Sequence, residues 1–528
     1  MMNWKKYWDA DTPSNQRLLF LLLLIVGGIE FIFITMESLF SYIGYYLAED
    51  YIIIPCLLFL GIALSQKQTL LAKRSLQLSA AAILWFVIVQ IQHKLSGMGT
   101  HPIGTVFLVY LMAFPFAAVA NDERNIGLKL IGKIFIAASL ILIFYTILLF
   151  WDCVPAFLQP FVYWDGARLH VFWHSNISAC FFMIGIGFSA AFGIQSEKRI
   201  TKVWMLLLIV VQFAAMALTN CRTTLLMTSA FFGSVVFFRL NNGTWKRTIA
   251  GLLAAILLTV VSFKISSTIY QYHNDRLIAQ IAAKLEYAQQ SEVPLETVSE
   301  AASSVETAVD TISTTEGAEP ASEATSSTEI PADTVPSTEA AEIFSETDAP
   351  TEPTQDNLPE HSISGDEIIL ISQNGQSTLS NDLKTLNGRT GIWKATLSAI
   401  MDNRSLALWG TEYPDLAISA YNSFPVVHAH NSWMEMLIRL GLPGLLIALV
   451  FTGSALYSAF VLLFAKHVSM DKKIIVMMTM CIMVAGFLEP YLFITNVYYH
   501  TMDFIFFFCV GYLNLWRVQL RNLKGNSN

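Results

Sequence analysis

The chain has 528 residues, 54% of them hydrophobic and only 14% charged, with a mean hydropathy of +0.52. A water-soluble chain of this size needs far more charge to cover its surface, so that class is excluded. The net charge of −8 is uneven: residues 285–383 hold 21 acidic side chains and no Lys or Arg, which leaves 32 basic against 19 acidic residues elsewhere. Those basic residues lie mostly in short connections between apolar runs, so no nucleic-acid partner is expected.

Apolar runs long enough to cross a bilayer core recur along the chain. They lie near 18–38, 50–66, 77–93, 102–120, 128–151, 175–194, 203–219, 223–239, 247–267, 441–465, 473–490 and 497–516. The first is too long for a signal-peptide core and no small-x-small cleavage site follows it, so it reads as an uncleaved span. The pattern predicts an all-α polytopic membrane protein with about twelve transmembrane helices. Lys5, Lys6, Arg17, Lys67, Lys73, Arg74, Arg124, Lys129 and Lys133 all fall on one side of this layout. So do Lys198, Arg199, Lys202, Lys246, Arg247, Lys466, Lys472, Lys473, Arg517, Arg521 and Lys524. Positive charge near span ends stays in the cytoplasm, so both termini are expected there. The loops 39–49, 152–174, 220–222, 268–440 and 491–496 then face outward.

Three regions follow: residues 1–267 with the first nine spans, the large extracytoplasmic loop 268–440, and residues 441–528 with the last three spans and a cytoplasmic tail. Within the loop, residues from about 290 to 365 are rich in Ser, Thr, Glu, Ala and Pro. The triplet Ser-Thr-Glu recurs at 327–329 and 337–339, and Phe344 is the sole aromatic residue. Such a segment cannot bury enough apolar surface to offset its ordering entropy, and disorder is expected. From about 383 to 440 Trp393, Leu397, Ile400, Leu406, Trp409, Leu416 and Tyr421 return, and this part is expected to fold, with a helix over 387–403.

Six cysteines are scattered and none forms a CxxC pair. Cys153 and Cys221 both fall near the outer face, where they can pair or stand as separate buried thiols. No GxxxxGK[ST], GxGxxG or HExxH motif is present, so neither an ATP-driven engine nor a zinc protease is encoded.

Four outward features carry chemistry: Arg168 with His174, Ser175 and Asn176; Arg222 in Leu-Thr-Asn-Cys-Arg; Arg389 with Trp393; and His428, His430 and Asn431 ahead of Gly441. An arginine at a tight turn between spans either reaches the headgroups or meets an anion. Several converging arginines would grip a pyrophosphate, because the guanidinium fork binds phosphate oxygens bidentately. The His428/His430 pair can be read as metal ligands, as solvated loop residues, or as a general base beside an acceptor hydroxyl. A metal site needs a third ligand, and none stands at a credible spacing. Glu435 and Arg439 read as an exposed i,i+4 pair. Glu30 and Asp503, acids inside spans, are functional candidates on that ground alone.

These motifs, in this order and topology, resemble those of the bacterial O-antigen ligases and related polymerases. The resemblance covers roughly residues 125–490. It rests on Arg168 with His174-Ser175-Asn176, Thr219-Asn220-Cys221-Arg222, Arg389 with Trp393, and His430-Asn431 before Gly441-Leu442-Pro443-Gly444. Two features depart from the pattern: Cys221 stands where the family usually has Ser, and the acidic insert is atypical.

The resemblance implies transfer of a glycan from undecaprenyl pyrophosphate to a glycan, lipid or protein hydroxyl at the outer face of the bacterial inner membrane. His430 is expected to act as the base, with His428 orienting it or the acceptor. Arg168, Arg222 and Arg389 would hold the donor pyrophosphate, supported by His174, Asn176 and Asn431. Neither a metal nor a cofactor is expected, and direct displacement would invert the anomeric centre. The alternative is a twelve-span polysaccharide flippase or secondary transporter. Such proteins put their polar residues near the midplane, whereas here the strongest cluster lies at the outer face.

Overall fold

The computed structural model describes residues 122–290 and 389–525, with gaps at 123–124, 156–157, 160–161, 166, 172–174, 242–243, 412, 423–425, 427, 490–491 and 493–499. It also describes isolated helical positions between 21 and 94. The expected spans near 50–66 and 102–120, the acidic insert, Glu30, Cys56 and His174 lie outside the described residues, and the spans near 18–38 and 77–93 are represented by those isolated positions.

In chain order the elements are α1 (Ile126–Phe150), β1 (Val162–Asp165), β2 (Arg168–Val171), α2 (Ser175–Gln195), α3 (Arg199–Leu218), α4 (Arg222–Leu240) and α5 (Trp245–Gln290). Then follow α6 (Arg389–Asp402), α7 (Arg404–Trp409), α8 (Pro414–Ser419), α9 (Ser432–Phe464), α10 (Met470–Ala485) and α11 (His500–Gly525). Six described helices are long and apolar enough to cross a membrane: α1, α2, α3, α4, α5 as far as Gln280, and α9. Their packing separates centre from rim. Of the most apolar stretch of α2, 78% is buried, against 17% for α5. The exposed face of α5 carries Leu252, Leu253, Ile256, Leu257 and Val260, a run that water would not tolerate but lipid does.

At one end, α11 is bonded to the start of α1. Asp122 accepts from the amides of Ile126 at 2.8 Å and Gly127 at 2.7 Å, satisfying two orphan donors of the first turn. The Tyr512 hydroxyl donates to Asp122 and accepts from the Leu128 amide, and the Trp516 indole donates to Asn125 Oδ1. The candidate site forms at the other end, where α1, α3 and α10 finish and α2, α4 and α9 begin.

Two expectations need correction, and one left open is settled. The fold is not wholly helical: β1 and β2 pair antiparallel, with Asp165 opposite Arg168 and Val162 opposite Val171. Val-Tyr-Trp and Leu-His-Val, rich in β-branched and aromatic residues, favour strands over a helix. Glu435 and Arg439 do pair, at 2.6 Å, but Glu435 is fully buried rather than exposed. It also accepts from the Ala429 amide at 2.8 Å, so the pair braces the backbone between His428 and His430. Cys153 and Cys221, left open as a pair or as separate thiols, form no disulfide: Cys153 is exposed, and Cys221 is buried against the Thr224 hydroxyl.

Two lengths were not foreseen. Helix α5 runs on past residue 267, where the span was expected to end, to Gln290. Helix α9 begins at Ser432 and is broken at Gly441. That break is required by packing. Gly441 has φ 67°, and a Cβ there would meet the Leu408 carbonyl oxygen at 2.3 Å. Gly410, at φ 78°, faces the Arg439 carbonyl oxygen in the same way, at 2.2 Å. Only residues without a Cβ let α7 lie this close to the kink.

Candidate active site

The first group forms around α4 and α5. The turn Thr219-Asn220-Cys221 puts Asn220 at φ 50° and starts α4 at Arg222. The Thr219 hydroxyl donates to the Met216 carbonyl and accepts from the Cys221 amide, which fixes the turn. A guanidinium on the first residue of a helix lies against the positive end of the dipole, an arrangement that favours an anion nearby. Arg168 lies at the tip of the hairpin, exposed. Tyr270, on the part of α5 beyond residue 267, draws these residues together. Its hydroxyl is hydrogen-bonded by Arg168 and Asn220 and lies in the field of Arg222. One turn on, His273 packs under Trp164 at 4.1 Å, and Arg276 covers the Phe150 ring at 4.1 Å.

The second group forms where α9 begins. Asn431 caps α9, its side-chain oxygen accepting from the amides of Trp433 at 3.0 Å and Met434 at 3.1 Å. Its amide donates to the Phe487 carbonyl at 2.9 Å. The segment after α10 is strapped to this cap. The Ser432 amide donates to Gly486, its hydroxyl donates to the Glu489 carbonyl and accepts from the Leu492 amide, and Trp433 stacks on Phe487 at 3.8 Å.

Those contacts fix Glu489, whose side chain is 3% exposed. Its Oε1 accepts from the Arg389 guanidinium and, at 3.2 Å, from the Asn176 side-chain amide. Its Oε2 faces His430 Nδ1 at 3.9 Å. His430 has φ 48°, the left-handed region that few non-glycine residues occupy. Its Nδ1 is buried, yet the side chain is 33% exposed, so the exposure lies on its other atoms. The His428 ring stands edge-on to it, centroids 4.1 Å apart. Among the described residues, no three His, Cys, Asp or Glu side chains gather closely enough to hold a metal ion.

Residues 205–449 match the family model of the O-antigen ligases. That stretch, somewhat less than half of the chain, is similar to an O-antigen ligase domain. No curated protein and no solved structure matches the chain. The ligase family supports a ligase- or polymerase-type role in membrane glycosyl transfer, with a lipid-linked glycan as donor class, in a multi-pass membrane protein. The matched stretch holds Arg222, Tyr270, Arg389, His428, His430 and Asn431. Arg168, Asn176 and Glu489 lie outside it and join it through the contacts above.

Four residues of the site were missed in the sequence. Glu489, in Phe487-Leu488-Glu489-Pro490, is an acid in an apolar run, the same signal that singled out Glu30 and Asp503. Tyr270, His273 and Arg276 recur three apart beyond the ninth span, a polar helical stripe that marks the continuing helix. Asp503 is buried on α11.

Proposed function

We propose that the protein transfers a glycan from undecaprenyl pyrophosphate directly to an acceptor hydroxyl at the outer face of the bacterial inner membrane. One observation carries the reading. At the same end of the helices, a basic group around Tyr270 stands with an imidazole whose Nδ1 side faces a buried carboxylate. Sidedness is supported by the basic residues near the opposite ends, among them Arg199, Lys246, Lys466 and Lys472, which belong in the cytoplasm together with both termini.

In this mechanism Arg168 and Arg222 hold the pyrophosphate and stabilise the charge that develops as it leaves. The acceptor oxygen attacks the anomeric carbon from the face opposite the pyrophosphate. The carbon–oxygen bond to the carrier breaks, and the acceptor proton passes to His430 Nε2. The configuration inverts, and the carrier departs as undecaprenyl pyrophosphate. The transferred bond supplies the energy, so no nucleotide enters, and the arginines neutralise charge in a role that a metal often fills. His428 packs the imidazole from the side, and Asn431 fixes the backbone that follows it.

Cells lacking the chain should accumulate glycan on the carrier lipid. Single units would identify a polymerase, and long polymer held on the carrier would identify a ligase. Unchanged surface glycan with no accumulation would overturn both, and units trapped on the cytoplasmic leaflet would point to a flippase.

A further inference from the structure

We propose that Glu489 is a positioning residue that sets the tautomer of His430, with Arg389 as the counter-ion of Glu489 rather than a donor-binding arginine; this rests on the reading of His430 as base. The carboxylate is 3% exposed, in a place where an uncompensated charge is costly, and two groups compensate it on Oε1: the Arg389 guanidinium and the Asn176 amide. Oε2 is turned to His430 Nδ1 at 3.9 Å, and that nitrogen is buried with no hydrogen bond in the structure.

A buried imidazole nitrogen facing a carboxylate is best satisfied as N–H. With the proton held on Nδ1, Nε2 presents a lone pair, as a base requires. The distance exceeds a hydrogen bond and closes when an acceptor seats, since catalytic contacts tighten in the substrate complex. As His430 takes the acceptor proton on Nε2, the carboxylate stabilises the imidazolium, and no proton passes to Glu489. Arg389, the first residue of α6, places one guanidinium nitrogen on Glu489 Oε1, and its side chain is 14% exposed. Its charge is spent there. The strap from Gly486 to Leu492 holds the carboxylate against the α9 cap, so the base is oriented by an element outside the ligase-family stretch.

The test uses full-length protein in bilayers, with lipid-linked donor, acceptor and steady-state rates. Glu489→Gln should keep donor KM near wild type and lower kcat by at least about tenfold, within the ~10²–10⁴-fold span of general-base help. Glu489→Asp should recover part of the rate. Because Glu489→Gln leaves Arg389 without its anion and can unfold the site, the Glu489→Gln/Arg389→Gln double variant decides the matter. It removes the ion pair as a unit, and should fold and remain slow. In a His430→Ala background, Glu489→Gln should lower the residual rate no further. Wild-type kcat in the double variant would overturn the proposal and leave Glu489 as a partner of Arg389 alone. A fully active His430→Ala protein would instead overturn the base reading itself.

Discussion

His430→Ala is expected to fold, bind the lipid-linked donor, and transfer glycan about 10²–10⁴-fold more slowly than the native protein. The fold should survive because little rests on the imidazole. Its Nδ1 makes no hydrogen bond, and the α9 cap is built by Asn431 and Ser432. Alanine tolerates the left-handed backbone at φ 48° no better than histidine does, so the substitution does not relax it. The loss should therefore fall on kcat. His428→Ala should be milder, because that ring contacts His430 edge-on and steers it. Single-turnover transfer with a pre-bound donor measures this. Full transfer by the His430→Ala protein would remove the residue from the chemistry.

Arg222→Ala should weaken donor binding by roughly tenfold to a hundredfold, the worth of one or two charge-assisted hydrogen bonds to phosphate. It should leave the thermal stability of the donor-free protein near the native value. Arg222 opens α4, where a cation opposes the helix dipole, so its removal relieves a small unfavourable term. The donor-induced rise in melting temperature should shrink instead. Arg222→Lys keeps the charge, loses the fork and should fall between. Donor titrations followed by thermal shift separate these outcomes. Unchanged donor affinity in Arg222→Ala would take that residue out of the pyrophosphate site.

Much of this was legible in the sequence, because a bilayer demands long apolar runs and the motifs sit at their ends. The six helices fit to cross a membrane begin and end close to the expected spans, apart from α5, which runs on, and α9, which starts nine residues early. The twelve-span count extends to residues outside the described ones. What escaped depended on contacts between distant segments. Arg389 reads alone as a free phosphate fork; only the return of the chain 100 residues later brings Glu489 to it. Glu435 reads as a surface residue because i,i+4 spacing says nothing about what covers the helix. It is buried because the loop bearing His428 folds back and donates Ala429 N–H to it. The hairpin was masked by the apolar character of its strands, although Asp165-Gly166 breaks the apolar run between them in the sequence.

The most direct test is transfer by the purified protein in a bilayer, given a lipid-linked donor and a hydroxyl acceptor, with EDTA present and no nucleotide. The account predicts glycan joined to the acceptor with inverted anomeric configuration, and one carrier pyrophosphate released for each bond formed. Loss of transfer in EDTA, or retention of the donor's configuration, would contradict it.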